Sequence, residues 1–324
     1  MTAAVGNDAA RAAFAAAMAG DALHHAWLIT GPEGTGKASF ATDMARRMLA
    51  YAVDPSLDPA APVPAGHRIG ALLDARSHPD FRLLTRLPKD ADKPDQDVAR
   101  SITIAQIRTL QPMFATKPSM SPRRVVLIDS IDDLERGGAN ALLKNLEEPP
   151  AGTIFLLVSH APGRLLPTIR SRCRLLRFSP LEDAEVASVL RQVLPEAGED
   201  EIAVLVRAGA GSPGKALRFA GLDMASIERD LALLADRGDP DNAIRSRLAK
   251  ALGPKAAQPR YAAFLERVPT FLAERAHTLQ GRALREALDA HAAARDVAGA
   301  AIGLSQDAGA AVFEIGGIVA RLAR

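Results

Sequence analysis

Gly31-Pro32-Glu33-Gly34-Thr35-Gly36-Lys37-Ala38 is the run of this chain whose residue types and spacing point most directly to chemistry. It follows the phosphate-loop pattern G-x-x-x-x-G-K-[ST], between an expected strand and an expected helix. Glycines let backbone N–H groups curl around phosphate oxygens at a helix N-terminus, and Lys37 has the reach for β and γ phosphates. The last position departs from the pattern. Ala38 has no hydroxyl for Mg²⁺, and Ser39 comes one residue late, so its side chain should leave the helix in another direction. A second run, Val125-Val126-Leu127-Ile128-Asp129, ends an aliphatic strand in the aspartate that helps hold Mg²⁺ beside such a loop. Where a neighbouring glutamate would polarise the attacking water, Ser130 stands instead, with neither the charge nor the basicity for that task. Asp132 and Asp133 read as a solvated helix N-terminus that the helix carries away from the strand tip. Gly31, Gly34, Gly36, Lys37 and Asp129 therefore describe a degenerate nucleotide site with no hydrolytic machinery and no metal set.

These residues need a parallel sheet to hold them. Short aliphatic runs at His25–Thr30, Asp80–Thr85, Arg124–Asp129, Thr153–Ser159 and Cys173–Phe178 alternate with helical patterns near Lys37–Ala50, Ile104–Ala115 and Asp133–Leu146. This is the βαβ rhythm of a sheet covered on both faces. Thr103 with Gln106 predicts a capping box. Asp54–Gly66 and Pro88–Asp97 read as surface insertions. Past Phe178 the strand signals stop, and Ser179-Pro180, Ser212-Pro213 and Asp239-Pro240 predict starts of amphipathic helices divided at Gly209–Gly211, Gly221, Gly238 and Gly253-Pro254. Boundaries near 179 and 222 give three domains, 1–178, 179–222 and 223–324.

Composition excludes other classes. Lys+Arg 40 against Asp+Glu 38 is a net +2, too balanced for a protein that coats a polyanion. Aromatics at 4% leave no stacking platform for single strands. One cysteine, Cys173, excludes an internal disulfide framework and a multi-cysteine zinc site, and suits a reducing compartment. Ala12–Gly20 behind Arg11 has the apolarity of a short signal-peptide core, but Asp8 upstream is wrong for one. The stretch reads as a helix capped by Asn7 or Asp8 and ending at Gly20, and the expected location is the cytoplasm.

Three further runs carry a specific resemblance: His24-His25-Ala26-Trp27-Leu28-Ile29-Thr30-Gly31-Pro32, Asn140-Ala141-Leu142-Leu143-Lys144-Asn145-Leu146-Glu147-Glu148-Pro149-Pro150, and Leu166-Pro167-Thr168-Ile169-Arg170-Ser171-Arg172-Cys173. Together they resemble the bacterial clamp-loader branch of the AAA+ ATPases, densely over the first domain and only by layout beyond it. The resemblance implies an α/β RecA-like AAA+ domain with a five-stranded parallel sheet, then an all-α lid and an all-α C-terminal collar that serves oligomerisation. It implies a subunit of the DNA polymerase III holoenzyme and its clamp-loader ATPase, with gamma/tau and delta subunits as partners and the sliding clamp and primer-template DNA reached through the complex, in a nucleoid-associated replisome. The alternative within the branch is an active gamma/tau-like ATPase, and the alternative outside it is a stand-alone DNA-binding protein. Absence of a hydroxyl at 38 and of a carboxylate at 130 favours a member with an inactive ATP site, inactive on its own.

In the family the arginine of the Ser-Arg-Cys tripeptide is supplied in trans to a neighbour's ATP, a role that would fall to Arg172, with Ser171 setting the turn. A guanidinium that stays ionised suits it. Pairing of Arg172 with a local carboxylate, Glu147 or Glu148, is the competing reading. Cys173 should pack as a small apolar residue. Where many members carry a cysteine-based zinc module, Tyr51–Ser77 offers only His67, so no zinc is expected and His67 reads as a surface residue. No cofactor is required by this reading, although the loop keeps the means to hold residual ATP, ADP or an anion. Around Gly211–Leu217 the family's second-sensor arginine is replaced by Gly214, and Lys215 should leave the helix in another direction. The first sensor falls at Ser159 or His160.

Overall fold

A computed structural model describes residues 5–20, 23–59, 61–90, 98–303 and 306–323. The chain divides into two compact units, Met1–Leu181 and Glu182–Arg324.

In the first unit five strands, β1 (Ala26–Thr30), β2 (Phe81–Leu84), β3 (Arg124–Asp129), β4 (Thr153–Ser159) and β5 (Arg174–Arg177), form one parallel sheet in the order β2-β3-β4-β1-β5. β1 and β4 are buried along their whole length, as strands covered on both faces must be. On one face lie α1 (Asp8–Ala19), α2 (Lys37–Val53) and α3 (Arg68–Asp74), around a core in which Phe14 meets Trp27 and Phe40. On the other lie α4 (Ile104–Arg108), α5 (Gln111–Phe114), α6 (Arg136–Glu147) and α7 (Pro167–Arg170), packed on Leu28, Val126, Phe155 and Leu157.

The strands expected from the sequence are all present, and the capping box of Thr103 and Gln106 opens α4. Several local expectations are corrected. The helix expected over Ile104–Ala115 is two short pieces, with Pro112 at the start of the second, where its missing N–H does no harm. Asn7 does not cap α1. It sits at φ 56°, and its amide bonds both ways with the Ser179 backbone, accepting from N at 2.7 Å and donating to O at 3.1 Å, which ties the N-terminal segment to the end of β5. Asp54–Gly66 is not purely superficial, because Leu57 and Val63 pack on the core beneath α2. His67 is a cap whose Nδ1 accepts from the Ile69 N–H at 3.3 Å. In the Pro88–Asp97 insertion Pro88 bridges to Val98, and residues 91–97 lie outside the described residues.

The second unit contains α8 (Asp183–Val193), α9 (Glu199–Gly209), α10 (Pro213–Phe219), α11 (Met224–Arg237), α12 (Ala243–Leu252), α13 (Gln258–Ala276), α14 (Gly281–Gly303) and α15 (Ala308–Ala320). Ser212-Pro213 starts α10 as expected, its hydroxyl accepting from the Lys215 N–H. The other two Pro-based starts shift downstream. Glu182, in a capping box with Glu185, opens α8, and buried Asp239 takes the N–H groups of Ile244 and Arg245 at the head of α12. In each case a carboxylate that can reach the free amides outcompetes the Pro position. Arg267 is fully buried between Glu228 and Glu274, the double pairing a buried guanidinium requires. Lys215 is used inside this unit, donating to Thr270 Oγ1 at 3.2 Å. Among the described residues no helix is long and apolar enough to cross a membrane.

Candidate functional site

The strand order places the carboxyl ends of β3, β4 and β1 side by side, with Thr30 opposite Ser159 and Asp129 opposite Val158. Ligands of open parallel sheets bind at such edges. Gly31 leaves β1 at φ +148°, and a Cβ there would lie 2.2 Å from the carbonyl oxygen of Phe178, so only glycine lets the loop pass β5. Gly36 takes φ +86° as α2 begins, a left-handed conformation that favours glycine although no heavy atom lies within 4 Å of where its Cβ would stand. Gly34, at φ +76°, completes the turn.

Lys37 is 2% exposed. Its Nζ donates to the carbonyl of Gly31 at 2.8 Å and to that of Pro32, so the ammonium is folded onto its own loop. Burial pushes its pKa down to about 8, with Asp129, Glu33 and Asp132 pulling the other way. Asp129 is raised above the usual carboxylate range, first by burial, and His160 and Lys37 counter that shift. The imidazole of His160 is lowered, by desolvation first and by the Lys37 charge second.

The backbone therefore fits a phosphate cradle, and the donor set does not fit a hydrated Mg²⁺. Ala38 contributes no oxygen. Ser39 is exposed and lines a separate cavity of about 710 Å³ with Arg46, Val63 and His67. Ser130 is buried and bonds Asp133 Oδ2 at 3.2 Å. Asp133 also pairs with Arg86.

Asp132 corrects the sequence reading. It is not carried away from the sheet, because Ile131–Asp133 forms a 3₁₀ turn before α6 begins at Arg136. Its carboxylate accepts from Ser159 Oγ at 2.9 Å and from the N–H groups of His160 at 2.6 Å and Ala161 at 3.3 Å. The tip of β3 is thereby stapled to the tip of β4, with Ser159 as the buried partner and the His160 side chain left exposed. The signal available in the sequence was a short polar residue three positions past the strand end, close enough to turn back.

The Ser-Arg-Cys tripeptide lies elsewhere, between α7 and β5. Arg172 is 34% exposed along its side chain and reaches back to the C-terminal end of α6, with Nη2 2.7 Å from Glu147 Oε1. Its Nη1 donates to Thr168 O at 2.9 Å. Ser171 Oγ donates to the same carbonyl at 3.2 Å, closing the turn. Cys173 packs partly buried against the core, and burial raises its thiol to about 12, an inert apolar residue at neutral pH. Of the site residues expected from sequence, Gly31, Gly34, Gly36, Lys37 and Asp129 come together, whereas Ser171 and Arg172 form a separate group.

Sequence reasoning did not anticipate a buried polar cluster at the opposite edge of the sheet. Asp80 accepts from the N–H groups of Ser119 and Met120 at 2.8 Å, and buried Arg124 donates to the carbonyls of Met113 and Thr116. It closes the Ala115–Arg123 connection and is structural.

The family model described as DNA polymerase III, delta subunit, matches residues 6–182. DNA polymerase III subunit delta' of Pseudomonas aeruginosa is 36% identical over 207 residues, 63% of this chain and 58% of that protein. Its counterpart from Bacillus subtilis is 35% identical over 162 residues, 50% of this chain and 44% of that one. DNA polymerase III subunit gamma/tau of Mycobacterium tuberculosis is 32% identical over 213 residues, 64% of this chain and 34% of that one. Among solved structures, a DNA polymerase III gamma subunit-related protein of Thermotoga maritima aligns over 97% of this chain and 99% of its own at 16% identity and TM-score 0.49. The chain spans about 58% of the length of the delta' relative from Pseudomonas. With the family model matching from before α1 to just past β5, the chain belongs to the DNA polymerase III delta-subunit family.

Proposed function

We propose that the chain works as a delta'-type subunit of a clamp loader, helping to place a sliding clamp on primed DNA. Its own nucleotide site is silent, and Arg172 acts in trans at the ATP of a neighbouring gamma/tau-type subunit. The observation that carries this reading is the contrast between the two groups. The glycine turn expected of a phosphate loop is present, while the metal hydroxyl, the carboxylate next to Asp129 and a free lysine head are all missing. Arg172, in contrast, is part-exposed; it makes the local pair with Glu147 that competes with a trans role, but that pair is itself exposed and leaves part of the planar donor set unused. Delta, gamma/tau, the clamp and the primer-template are the proposed partners. Residues 179–222 would act as a helical lid and residues 223–324 as the oligomerising collar. An anion or a nucleotide held without turnover is the proposed use of the loop.

The test is a loader reconstituted from this chain with gamma/tau and delta subunits. Arg172→Ala should lower clamp- and DNA-stimulated ATPase by about 10³-fold, the lower end of what arginine fingers supply. Unchanged ATPase would overturn the trans assignment. The isolated chain should show no ATP turnover; a turnover abolished by Lys37→Ala would make it a gamma/tau-like motor instead.

A further inference from the structure

Arg172 has two close anchors, Glu147 and Thr168, besides a 3.5 Å contact from Nη1 to the neighbouring Ser171 Oγ. Glu147 is the last residue of α6, directly after buried Asn145 and Leu146. The Leu146 carbonyl accepts from His25 Nε2 at 3.1 Å, which ties that helix end to the start of β1. Thr168 lies in α7, pinned by Ile169, which is 1% exposed. The Arg172 N–H donates to the Ile169 carbonyl at 3.1 Å. Glu147 Oε1 takes Nη2, and Thr168 O takes Nη1. Glu148, one residue on and of the same charge, has no ion-pair partner among the described residues.

We infer that Glu147 is a positioning residue: it holds the guanidinium of Arg172 at the surface in one orientation, so that the finger is ordered before a neighbour's triphosphate arrives. This rests on the trans role of Arg172 proposed above. A long arginine side chain otherwise spreads over many rotamers, and ordering it at the moment of reaction raises the barrier. With Glu147 taking one N–H of Nη2, and Thr168 O and Ser171 Oγ both facing Nη1, Nε–H and the second N–H of Nη2 remain for phosphoryl oxygens, out of five donors in a rigid fork. The carboxylate does not touch the substrate. Its contribution is geometric, and a neutral acceptor of the same shape retains most of it.

Four loaders reconstituted with gamma/tau and delta subunits, each checked for full assembly by size-exclusion chromatography, test this. Glu147→Ala should lower kcat for clamp- and DNA-stimulated ATPase about fivefold with KM for ATP unchanged, the scale of one exposed ion pair and its ordering. Glu147→Gln, which keeps the acceptor, should recover at least half of that loss. Glu148→Ala should match the unmodified loader. An unchanged kcat in Glu147→Ala, or an equal fall in Glu148→Ala, would overturn the inference. So would a Glu147→Gln loader no better than Glu147→Ala. The fourth loader, Arg172→Ala, separates the two levels. If its ATPase is intact, the trans reading itself fails; if its ATPase is lost while Glu147→Ala is unchanged, only the positioning role fails.

Discussion

Lys37 and Arg172 are the two cations that the sequence marks for phosphate chemistry, and the fold treats them in opposite ways. Lys37 is buried under its own loop, satisfied by two backbone carbonyls, its proton held weakly enough that its pKa falls to about 8. Arg172 is part-exposed, held by one exposed ion pair, the Thr168 carbonyl and a long contact to Ser171 Oγ. A cation that completes a folded loop is bound up with stability, whereas a cation held by a weak exposed pair can be offered to another molecule at little cost to the fold. Phosphate-binding residue types alone therefore do not tell which site is chemically available.

Four measurements would break or sharpen that contrast. The largest effect is expected at the loop: Gly31→Ala, with a Cβ driven to 2.2 Å from the Phe178 carbonyl oxygen at φ +148°, should lower unfolding free energy by about 3–5 kcal/mol in urea titrations. A loss below about 1 kcal/mol would mean the loop and β5 separate easily. Asp132→Ala removes a carboxylate that accepts three hydrogen bonds joining β3 to β4, and should cost about 2–3 kcal/mol by the same assay. Wild-type stability there would return Asp132 to the solvated residue the sequence suggested.

The third measurement uses pH. The folded pKa of Lys37 lies below its ordinary 10.5, so the folded state carries the penalty of a buried ammonium in full below about pH 8 and sheds it as pH rises toward 10.5. Unfolding free energy should therefore climb between pH 8 and 10.5 more steeply than in Lys37→Met, and parallel profiles would contradict the burial of the charge. The smallest effect is expected at Arg172. Arg172→Ala should change the stability of the isolated chain by under about 1 kcal/mol, and a larger loss would make the arginine structural after all.

Much of this was legible before any coordinates. Strand cores of aliphatic residues, the glycine spacing around Lys37 and the Thr103–Gln106 box are local signals, and local sterics or capping enforce them directly. What failed was local in sequence but non-local in cause. Asn7 looked like a cap and instead clasps the Ser179 backbone 172 residues away. Asp132 looked solvated and instead closes onto β4, because parallel strand order makes neighbours of segments 27 residues apart. Glu147 and Glu148 were equivalent partners for Arg172 on paper, and the end of α6 selects Glu147.

The sequence by itself determined the parallel α/β unit, the glycine-rich turn around Lys37 and the absence of side-chain oxygen at 38 and of a carboxylate at 130, because these depend on which atoms the residues carry and on short-range backbone preference. Only the tertiary structure decided that Lys37 is withdrawn into its loop, that Asp132 is a staple and that Arg172 pairs with Glu147. Burial and long-range pairing are properties of the strand order and the helix ends, and no window of residues contains them.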